Sequence, residues 1–299
     1  EAFQLALDLG ADAIETDAHM TRDGAVVLSH DPTGERAAGV KRAIADATLA
    51  EIRAWDVGAL FVPRRPGIFR AGQRFKMPTL DAALDAFPDA MFNVDAKQTS
   101  PDMIPALLRT IRRARAEDRV RIASFSTKNL VRTRRLGYPG ETGLSANEIA
   151  RIMFVPRAAL RWLRVSGHAA QVPRRAYGIV FASQAAIDRL HALGLRVDFW
   201  TIDEPAEAAR LFAMGADGVM TDDREDHAHA FHRERPELFD GLAEVAVGAV
   251  VHSRDDELRQ LLRGPTDVLL QDRLGADDVV DVDPRSLEFR IELAAGLVA

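Results

Sequence analysis

Short apolar segments alternate with segments of helical periodicity over the first three quarters of the chain. An amphipathic helical pattern, EAFQLALDLGAD, opens the sequence and ends at Gly10. Strand-like apolar runs then recur, most of them separated by helical patterns: DAIETD, MFNVDAK, RVRIASFS, TGLSA, YGIVFA, RVDFWTI and DGVMTD. Strands that alternate with helices predict a parallel sheet joined by right-handed crossovers.

The number of strand candidates predicts a barrel. Seven candidates are one short of the eight strands that close a TIM barrel, and the chain opens on a helix. We therefore expect an α/β fold, a TIM (β/α)8 barrel that lacks its first strand. The alternation of strands and helices is clearest from Tyr177 to Asp222, which reads as strand, helix, strand, helix, strand. Thr48 with Glu51, and Thr79 with Asp81, are typical of helix N-termini.

The pattern changes near Phe239. Beyond it, EVAVGAVVHS, DDELRQLLRG and DDVVDVDPRSLEFRIELA do not continue the alternation of strands and helices. The change predicts a barrel over residues 1–238 and a small mixed or β-rich C-terminal appendage over residues 239–299. The acidic cluster at residues 277–283 lacks the spacing and the glycine of a calcium loop, so we interpret it as a solvated face.

Composition excludes several classes of chemistry. The chain has 299 residues, a net charge of −6 and no cysteine, so disulfides, thiolate metal sites and cysteine nucleophiles are ruled out. No apolar stretch approaches the ~20 residues of a membrane-spanning helix. A cysteine-free chain fits the cytoplasm, which is the expected location, although export is also compatible with this composition.

Arginines are concentrated between residues 109 and 175. Their helical spacing among alanine and leucine favours solvated helix faces over a nucleic-acid surface, and no aromatic stacking set accompanies them. One basic segment, FVPRAALRWLRV, admits two interpretations. It could hold the protein weakly at a lipid surface, or it could be a barrel helix that packs its leucines and tryptophan inward, which we favour. The pattern predicts no oligomeric state.

Two carboxylates interrupt an apolar strand near the start of the chain. In IETDAHMTRDGAVVLSHDP, Glu15 and Asp17 share one face because strand side chains alternate. Asp23 and Gly24 predict a two-residue hairpin turn, which would set Asp17 opposite His30 at a Cβ separation of about 5 Å.

Two acids on one buried face repel each other unless a positive charge lies between them. Hard oxygen ligands suit Mg²⁺ or Ca²⁺ better than zinc, so the pattern predicts a divalent-cation site. The alternative is an exposed hairpin face with ordinary charges, and the apolar residues on both strands argue against it.

A second strand repeats the arrangement. In FNVDAKQ, one face carries Asn93, Asp95 and Lys97, and the other carries Phe92, Val94 and Ala96. An acid and a lysine at the carboxyl end of a barrel strand would face the mouth of the barrel. A purely structural ion pair remains the alternative.

Several separated motifs together resemble the glycerophosphodiester phosphodiesterase family: LGADAIETDAHMTRDGAVVLSHDPT, MPTLDAALDAFPDAMFNVDAK, RIASFS and LRVDFWTIDEPAEAARLFAMGADGVMTDD. The resemblance covers Glu1 to about Asp223. It implies a TIM barrel that uses a divalent cation, Mg²⁺ or Ca²⁺, to hydrolyse glycerophosphodiesters to glycerol 3-phosphate and an alcohol.

The resemblance also implies roles for single residues. Glu15, Asp17 and Asp95 would be metal ligands, and His30 would be an acid/base histidine. Lys97 matches a lysine that would both bind the substrate and take part in catalysis. Trp200 matches an aromatic that packs against the substrate.

This sequence departs from the family pattern in two ways. The opening His-Arg-Gly motif, which supplies a second histidine and an arginine, is absent from it. Asp95 also stands where the family usually has the longer glutamate.

Three other functions stay open. A lysophospholipase D or sphingomyelinase-D-like enzyme would use the same metal and histidine at a lipid surface. A non-catalytic, truncated barrel would explain the missing motif. An isomerase or aldolase of the phosphate-binding type ranks last, because VMTDDRED is acidic where such barrels need a glycine-rich phosphate loop.

Overall fold

The computed structural model describes residues 2–60, 74–221 and 248–252. The strands are β1 (Ala13–Met20), β2 (Val26–Leu28), β3 (Thr33–Gly34), β4 (Val40–Ala43), β5 (Met91–Ala96), β6 (Val120–Ala123), β7 (Ala169–Val172), β8 (Arg175–Ala176), β9 (Ile179–Val180), β10 (Arg196–Phe199), β11 (Gly218–Thr221) and β12 (Gly248–His252). The helices are α1 (Ala2–Asp8), α2 (Glu35–Ala38), α3 (Leu49–Ile52), α4 (Leu80–Ala86), α5 (Ile104–Arg113), α6 (Thr127–Arg135), α7 (Ala146–Phe154), α8 (Gln184–His191) and α9 (Pro205–Ala213), with 3₁₀ turns at Ile44–Asp46 and Arg157–Trp162.

The barrel wall is a ring of eight backbone segments. β1, β5 and β6 pair in parallel, as do β7, β10 and β11. Residues 142 and 143 bridge β6 to β7, since Thr142 lies opposite Ile122 and Gly143 lies opposite Ala169. β12 pairs with both β11 and β1 and completes the ring. The predicted α/β barrel is confirmed.

β12 runs antiparallel to its two neighbours. It lies between β1 and β11, where the sequence pattern predicts that a parallel strand is missing. Residues 248–252 belong to the segment predicted as a C-terminal appendage, and this part of it is a strand of the barrel sheet. The rest of residues 239–299 lies outside the described residues, so the division into two domains stays a prediction.

One predicted barrel strand is wrong. YGIVFA does not line the barrel; its Tyr177 and Gly178 form the turn of a small hairpin between β8 and β9, with φ values of 51° and 77°. Two consecutive residues of positive φ match the right-handed twist of the flanking strands. The actual barrel strand is β7, whose sequence AAQV is rich in alanine and gave little strand signal.

Apolar side chains of the strands point outward to the helices. One core cluster joins β5 and β6 to α4 and α5 and includes Phe92, Leu107 and Ile111, all at most 1% exposed. A second cluster joins β7, β10 and β11 to α7, α8 and α9. Because strand side chains alternate, the intervening polar residues point into the barrel.

The local signals at the helix N-termini are confirmed. Thr48 and Glu51 form a reciprocal capping box on α3, and Thr79 accepts a hydrogen bond from the Ala82 amide at the start of α4. Among the helices of the described ranges, none has the length and apolar character needed to span a bilayer.

Candidate active site

β1 and β5 bring two aspartates side by side. The strands are parallel, with Asp17 opposite Asp95 and Glu15 opposite Asn93. Asp17 is 7% exposed and Asp95 is 6% exposed, and Val94 and Ala96, which flank Asp95 in β5, are fully buried among apolar side chains. The carboxyl ends of parallel barrel strands are where active sites of this fold class lie.

Lys97 joins the two aspartates. Its Nζ lies 3.0 Å from Asp17 Oδ1 and 2.9 Å from Asp95 Oδ2. Burial alone would lower the pKa of Lys97, but the two carboxylates raise it, so the ammonium stays charged. Burial raises the pKa of Asp95, and the charge of Lys97 opposes that rise. The predicted common face of Asp95 and Lys97 is confirmed.

One oxygen of this cluster has no partner among the described residues. Asp95 Oδ1 is buried and makes no hydrogen bond, which is costly for a carboxylate oxygen unless a ligand satisfies it. Glu15 is half-buried and lies two residues earlier in β1. In the part of the chain that the structure describes, no group of three or more His, Asp or Glu side chains is placed to hold a metal ion.

The structure thus brings together two of the three predicted metal ligands. Asp17 and Asp95 meet on Lys97, and Glu15 is not gathered with them into one cluster. The donor chemistry still fits a divalent cation, because both aspartates offer hard oxygen atoms and Asp95 Oδ1 is buried without a partner.

The predicted register of the β1–β2 hairpin is wrong by one residue. Ala18 lies opposite Leu28, and the Ser29 amide, not His30, donates to the Asp17 carbonyl at 2.9 Å. The turn has three residues because Thr21 pairs with Ala25, and Gly24 at its end adopts a φ of 83°. A three-residue loop that ends on a left-handed glycine replaces the expected two-residue turn.

His30 reaches the site from the loop after β2 instead. Its side chain is 55% exposed, and its Nδ1 lies 2.8 Å from Asp31 Oδ1. It lies close enough to Asp95 that its positive charge would lower the pKa of that carboxyl. The buried His19 ring places Nε2 at 3.4 Å from the His30 carbonyl oxygen, and burial lowers the pKa of His19.

An aromatic pair lies beside the charged cluster. Trp200, just past β10, packs edge to face against Phe125 at 5.6 Å between ring centroids. The Phe125 ring lies 5.4 Å from Lys97 Nζ and is 53% exposed. The family resemblance pointed to Trp200 but not to Phe125. The available signal for Phe125 was its place two residues after β6, at the carboxyl end of a barrel strand.

Buried polar side chains tie these strand ends together. Gln98 Oε1 accepts from the Met20 amide at 3.2 Å, which links the ends of β1 and β5. Ser124 Oγ and Asn129 Nδ2 both donate to the Ala96 carbonyl, at 2.7 and 2.8 Å. Sequence reasoning missed these three residues, because nothing local distinguishes a polar side chain that bonds a distant backbone.

The chain is similar to known proteins over most of its length. The model of the glycerophosphoryl diester phosphodiesterase family matches residues 1–225. The chain belongs to that family. A relative from Mycobacterium tuberculosis, named probable glycerophosphodiester phosphodiesterase 2, is 34% identical over 227 residues, covering 74% of this chain and 80% of the relative.

The chain is also similar to a human member of this glycerophosphoryl diester phosphodiesterase family and to a phosphodiesterase of known structure. The human lysophospholipase D GDPD1 is 27% identical over 246 residues, covering 74% of this chain and 77% of the human protein. The structure of an Oleispira antarctica phosphodiesterase in complex with the product sn-glycerol-3-phosphate superposes with a TM-score of 0.61 at 20% identity. That match covers 77% of this chain and 89% of the other, and it shows a shared fold.

Proposed function

We propose that this glycerophosphoryl diester phosphodiesterase family member hydrolyses glycerophosphodiesters to glycerol 3-phosphate and an alcohol. The observation that carries the proposal is the Asp17–Lys97–Asp95 cluster, which lies at the carboxyl ends of adjacent barrel strands in a chain of this family. Family membership supports the reaction class, a phosphoric diester hydrolysis, and the cluster supports the place where it occurs.

A divalent cation fits this proposal. Asp17 and Asp95 would hold it, and hard oxygen donors favour Mg²⁺ or Ca²⁺. Glu15, the third ligand that the family resemblance implies, lies two residues before Asp17 and stays a prediction. When bound, such an ion supplies Lewis-acid neutralisation of the phosphoryl oxygens. The buried, unbonded Asp95 Oδ1 supports this assignment.

Lys97 and His30 have separate tasks. The Lys97 ammonium stays protonated between its carboxylates, so it adds fixed positive charge where negative charge develops on the phosphoryl group. His30 is exposed beside the cluster and would exchange a proton with the reacting oxygens. Phe125 and Trp200 offer an apolar wall that would exclude water from one side of the substrate.

The test is release of glycerol 3-phosphate from glycerophosphocholine and glycerophosphoethanolamine. We expect hydrolysis that stops with EDTA and returns when Mg²⁺ or Ca²⁺ is added in excess. The His30→Ala variant should lose about 10²-fold or more in kcat, since general acid–base catalysis contributes at least that much. Activity that is indifferent to both EDTA and His30→Ala would overturn the proposal, and an inert wild-type protein would favour the non-catalytic alternative.

A second candidate is the same chemistry on a lysophospholipid at a membrane surface. Phe154 is 73% exposed and Trp162 is 69% exposed, whereas Leu160 is buried. The expectation that the tryptophan of this segment packs inward is therefore wrong, whereas both leucines follow it: Leu160 is buried, and Leu163 packs partly buried against the same core cluster. The guanidinium of Arg161 stacks over Trp162 at 4.3 Å.

The positive charge of this region favours a membrane surface that contains anionic lipid. Between Glu148 and Asp188 the sequence has six arginines and no acidic residue. The arginines of the segment itself are all exposed: Arg157, Arg161 and Arg164. Exposed aromatics flanked by arginine are typical of proteins that rest in the headgroup region of a bilayer.

Flotation with vesicles tests this second candidate. We expect the protein to float with vesicles rich in phosphatidylserine and not with pure phosphatidylcholine, and the Phe154→Ser/Trp162→Ser variant to stay at the bottom. Tyr177→Ser is the matched control, since Tyr177 is also 65% exposed but lies on the β8–β9 hairpin. Equal flotation of all three proteins would contradict the assignment of this segment.

A further inference from the structure

His30 is the first member of a short chain of polar contacts. Its Nδ1 lies 2.8 Å from Asp31 Oδ1, and the other oxygen of Asp31 accepts a hydrogen bond from Arg36 Nε at 2.5 Å. Arg36 belongs to α2, which follows β3 directly. Imidazole, carboxylate and guanidinium therefore line up within seven residues of sequence.

The carboxylate decides which ring nitrogen of His30 carries the proton. An ionised carboxylate only accepts hydrogen bonds, so a contact of 2.8 Å requires a proton on Nδ1. Partial burial would raise the pKa of Asp31, but hydrogen bonds from Arg36 and His30 lower it, so the group is ionised near neutral pH. In the neutral ring, Nε2 is then the basic nitrogen.

The backbone around His30 is also held in place. Ser29 Oγ donates to the Asp31 carbonyl at 2.9 Å, and the Ile44 amide donates to the Pro32 carbonyl at 2.8 Å. The His19 ring contacts the His30 carbonyl from inside β1. A loop fastened at several points limits the orientations of the imidazole, which is what a proton-transfer group requires.

We propose that Asp31 is a positioning residue that fixes the tautomer and the orientation of His30, and that Arg36 in turn fixes Asp31. The consequence for the reaction rests on the proposed function: with Nδ1 occupied, His30 presents Nε2 as its single proton-exchanging atom. Asp31 acts through His30 and does not touch the substrate. The contact between Asp31 and His30 explains how an exposed histidine on a loop keeps one tautomer, the one protonated on Nδ1.

The first experiment does not depend on activity. Long-range ¹⁵N–¹H correlation spectra report which nitrogen of each histidine ring carries hydrogen, and the His30→Gln variant assigns the His30 signals. We expect the Nδ1–H form to predominate in the wild-type protein and to lose that preference in Asp31→Ala. Arg36→Gln should shift the balance less, because Asp31 remains. An unchanged His30 tautomer in Asp31→Ala would overturn the proposal.

The second experiment separates positioning from folding. We expect Asp31→Ala to lower kcat by roughly 10- to 100-fold, within the contribution of one acid/base group, while KM changes little. In a His30→Ala background, Asp31→Ala should have no further effect, since two residues that act through one group are not additive. Additive losses would overturn the proposal.

Glu35→Gln is the matched control for both experiments. Glu35 precedes Arg36, and its carboxylate pairs with Lys41 at 3.5 Å. Its replacement should change neither the His30 tautomer nor kcat. The two hypotheses fail in different ways. Normal hydrolysis with an unaltered tautomer in Asp31→Ala would contradict the role of Asp31, whereas the expected tautomer change in a protein without hydrolysis would contradict the proposed function.

Discussion

In the described part of the barrel, two clusters of buried opposite charges differ in how completely their acids are bonded. Asp198 of β10 is fully buried, and both its oxygens accept from arginines, Arg121 at 2.9 Å and Arg196 at 3.3 Å. Asp95 of β5 is nearly as buried, but only one of its oxygens is bonded, to Lys97.

The difference indicates two roles for buried charge. A carboxylate whose oxygens are both bonded to guanidinium groups is part of the structure, because removing a partner leaves an uncompensated buried charge. A carboxylate that keeps one buried oxygen without a partner is unfavourable in the protein alone and becomes favourable when a ligand supplies positive charge. The bonding of the first cluster is typical of a structural role, and that of the second fits the ligand site proposed above.

Asp198→Ala should produce the largest effect, a loss of about 3–5 kcal/mol in the free energy of unfolding, because it removes the fully buried acid that bonds the largely buried Arg121 and the half-buried Arg196. Urea denaturation measures it. Glu141→Ala is the control, since Glu141 bonds the same Arg121 but is half-exposed, and it should cost about 1 kcal/mol or less. Equal losses in the two variants would show that burial does not distinguish these acids.

Lys97→Met should lower kcat about 10²- to 10³-fold, or some 3–4 kcal/mol of transition-state stabilisation, because it removes fixed charge at the phosphoryl group. The variant should also be less stable without divalent cations and recover when Mg²⁺ or Ca²⁺ replaces the missing charge. The exposed Lys128 of α6 supplies the control, Lys128→Met, with unchanged kcat. A fully active Lys97→Met protein would exclude Lys97 from the reaction.

Asp95→Asn should abolish stabilisation by divalent cations. A wild-type site at a ligand concentration 100 times its Kd gains about 2.7 kcal/mol, and thermal unfolding with and without Mg²⁺ or Ca²⁺ measures that gain. Asp95→Glu should retain it. Asp102→Asn, which alters a more exposed acid bonded to Arg132, is the control. A full gain in Asp95→Asn would place the cation elsewhere.

Val250→Pro tests the pairing of β12 with its neighbours. This strand lies between β1, which carries Asp17, and the β10–β11 pair, which carries Asp198. Val250 lies opposite Ala13 on one side and Met220 on the other. Proline removes one ladder donor, and an unpaired buried carbonyl costs about 1–3 kcal/mol. Val250→Ala keeps the amide and serves as the control in the same urea titration. Identical midpoints for the two variants would argue against pairing of β12.

Local periodicity was sufficient to predict which side chains share a face of a strand. Asp95 and Lys97 share a face of β5 because alternation is a property of the extended backbone itself, and the structure confirms it. The same reasoning failed for the partner of Asp17. That register depends on the turn, where Asp23 Oδ1 accepts from the Thr21 hydroxyl and from the distant Leu49 amide.

Weak local signals account for the other errors. The alanine-rich β7 carries little strand signal and the apolar YGIVFA carries a strong one, although only β7 is a barrel strand, because strand propensity reflects packing against neighbours that are distant in sequence. Phe125 and Gln98 were missed for a related reason. Their roles arise from Trp200 and Met20, more than 70 residues away.

The amino-acid sequence by itself determined the barrel class, the family and the acidic and basic residues at the ends of β1 and β5, since each follows from short-range pattern or motif. Only the tertiary structure decided that Lys97 bridges Asp17 and Asp95, that Ser29 takes the place expected for His30, and that β12 completes the ring. These are pairings between segments, and their energies depend on burial and distance, which no single segment specifies.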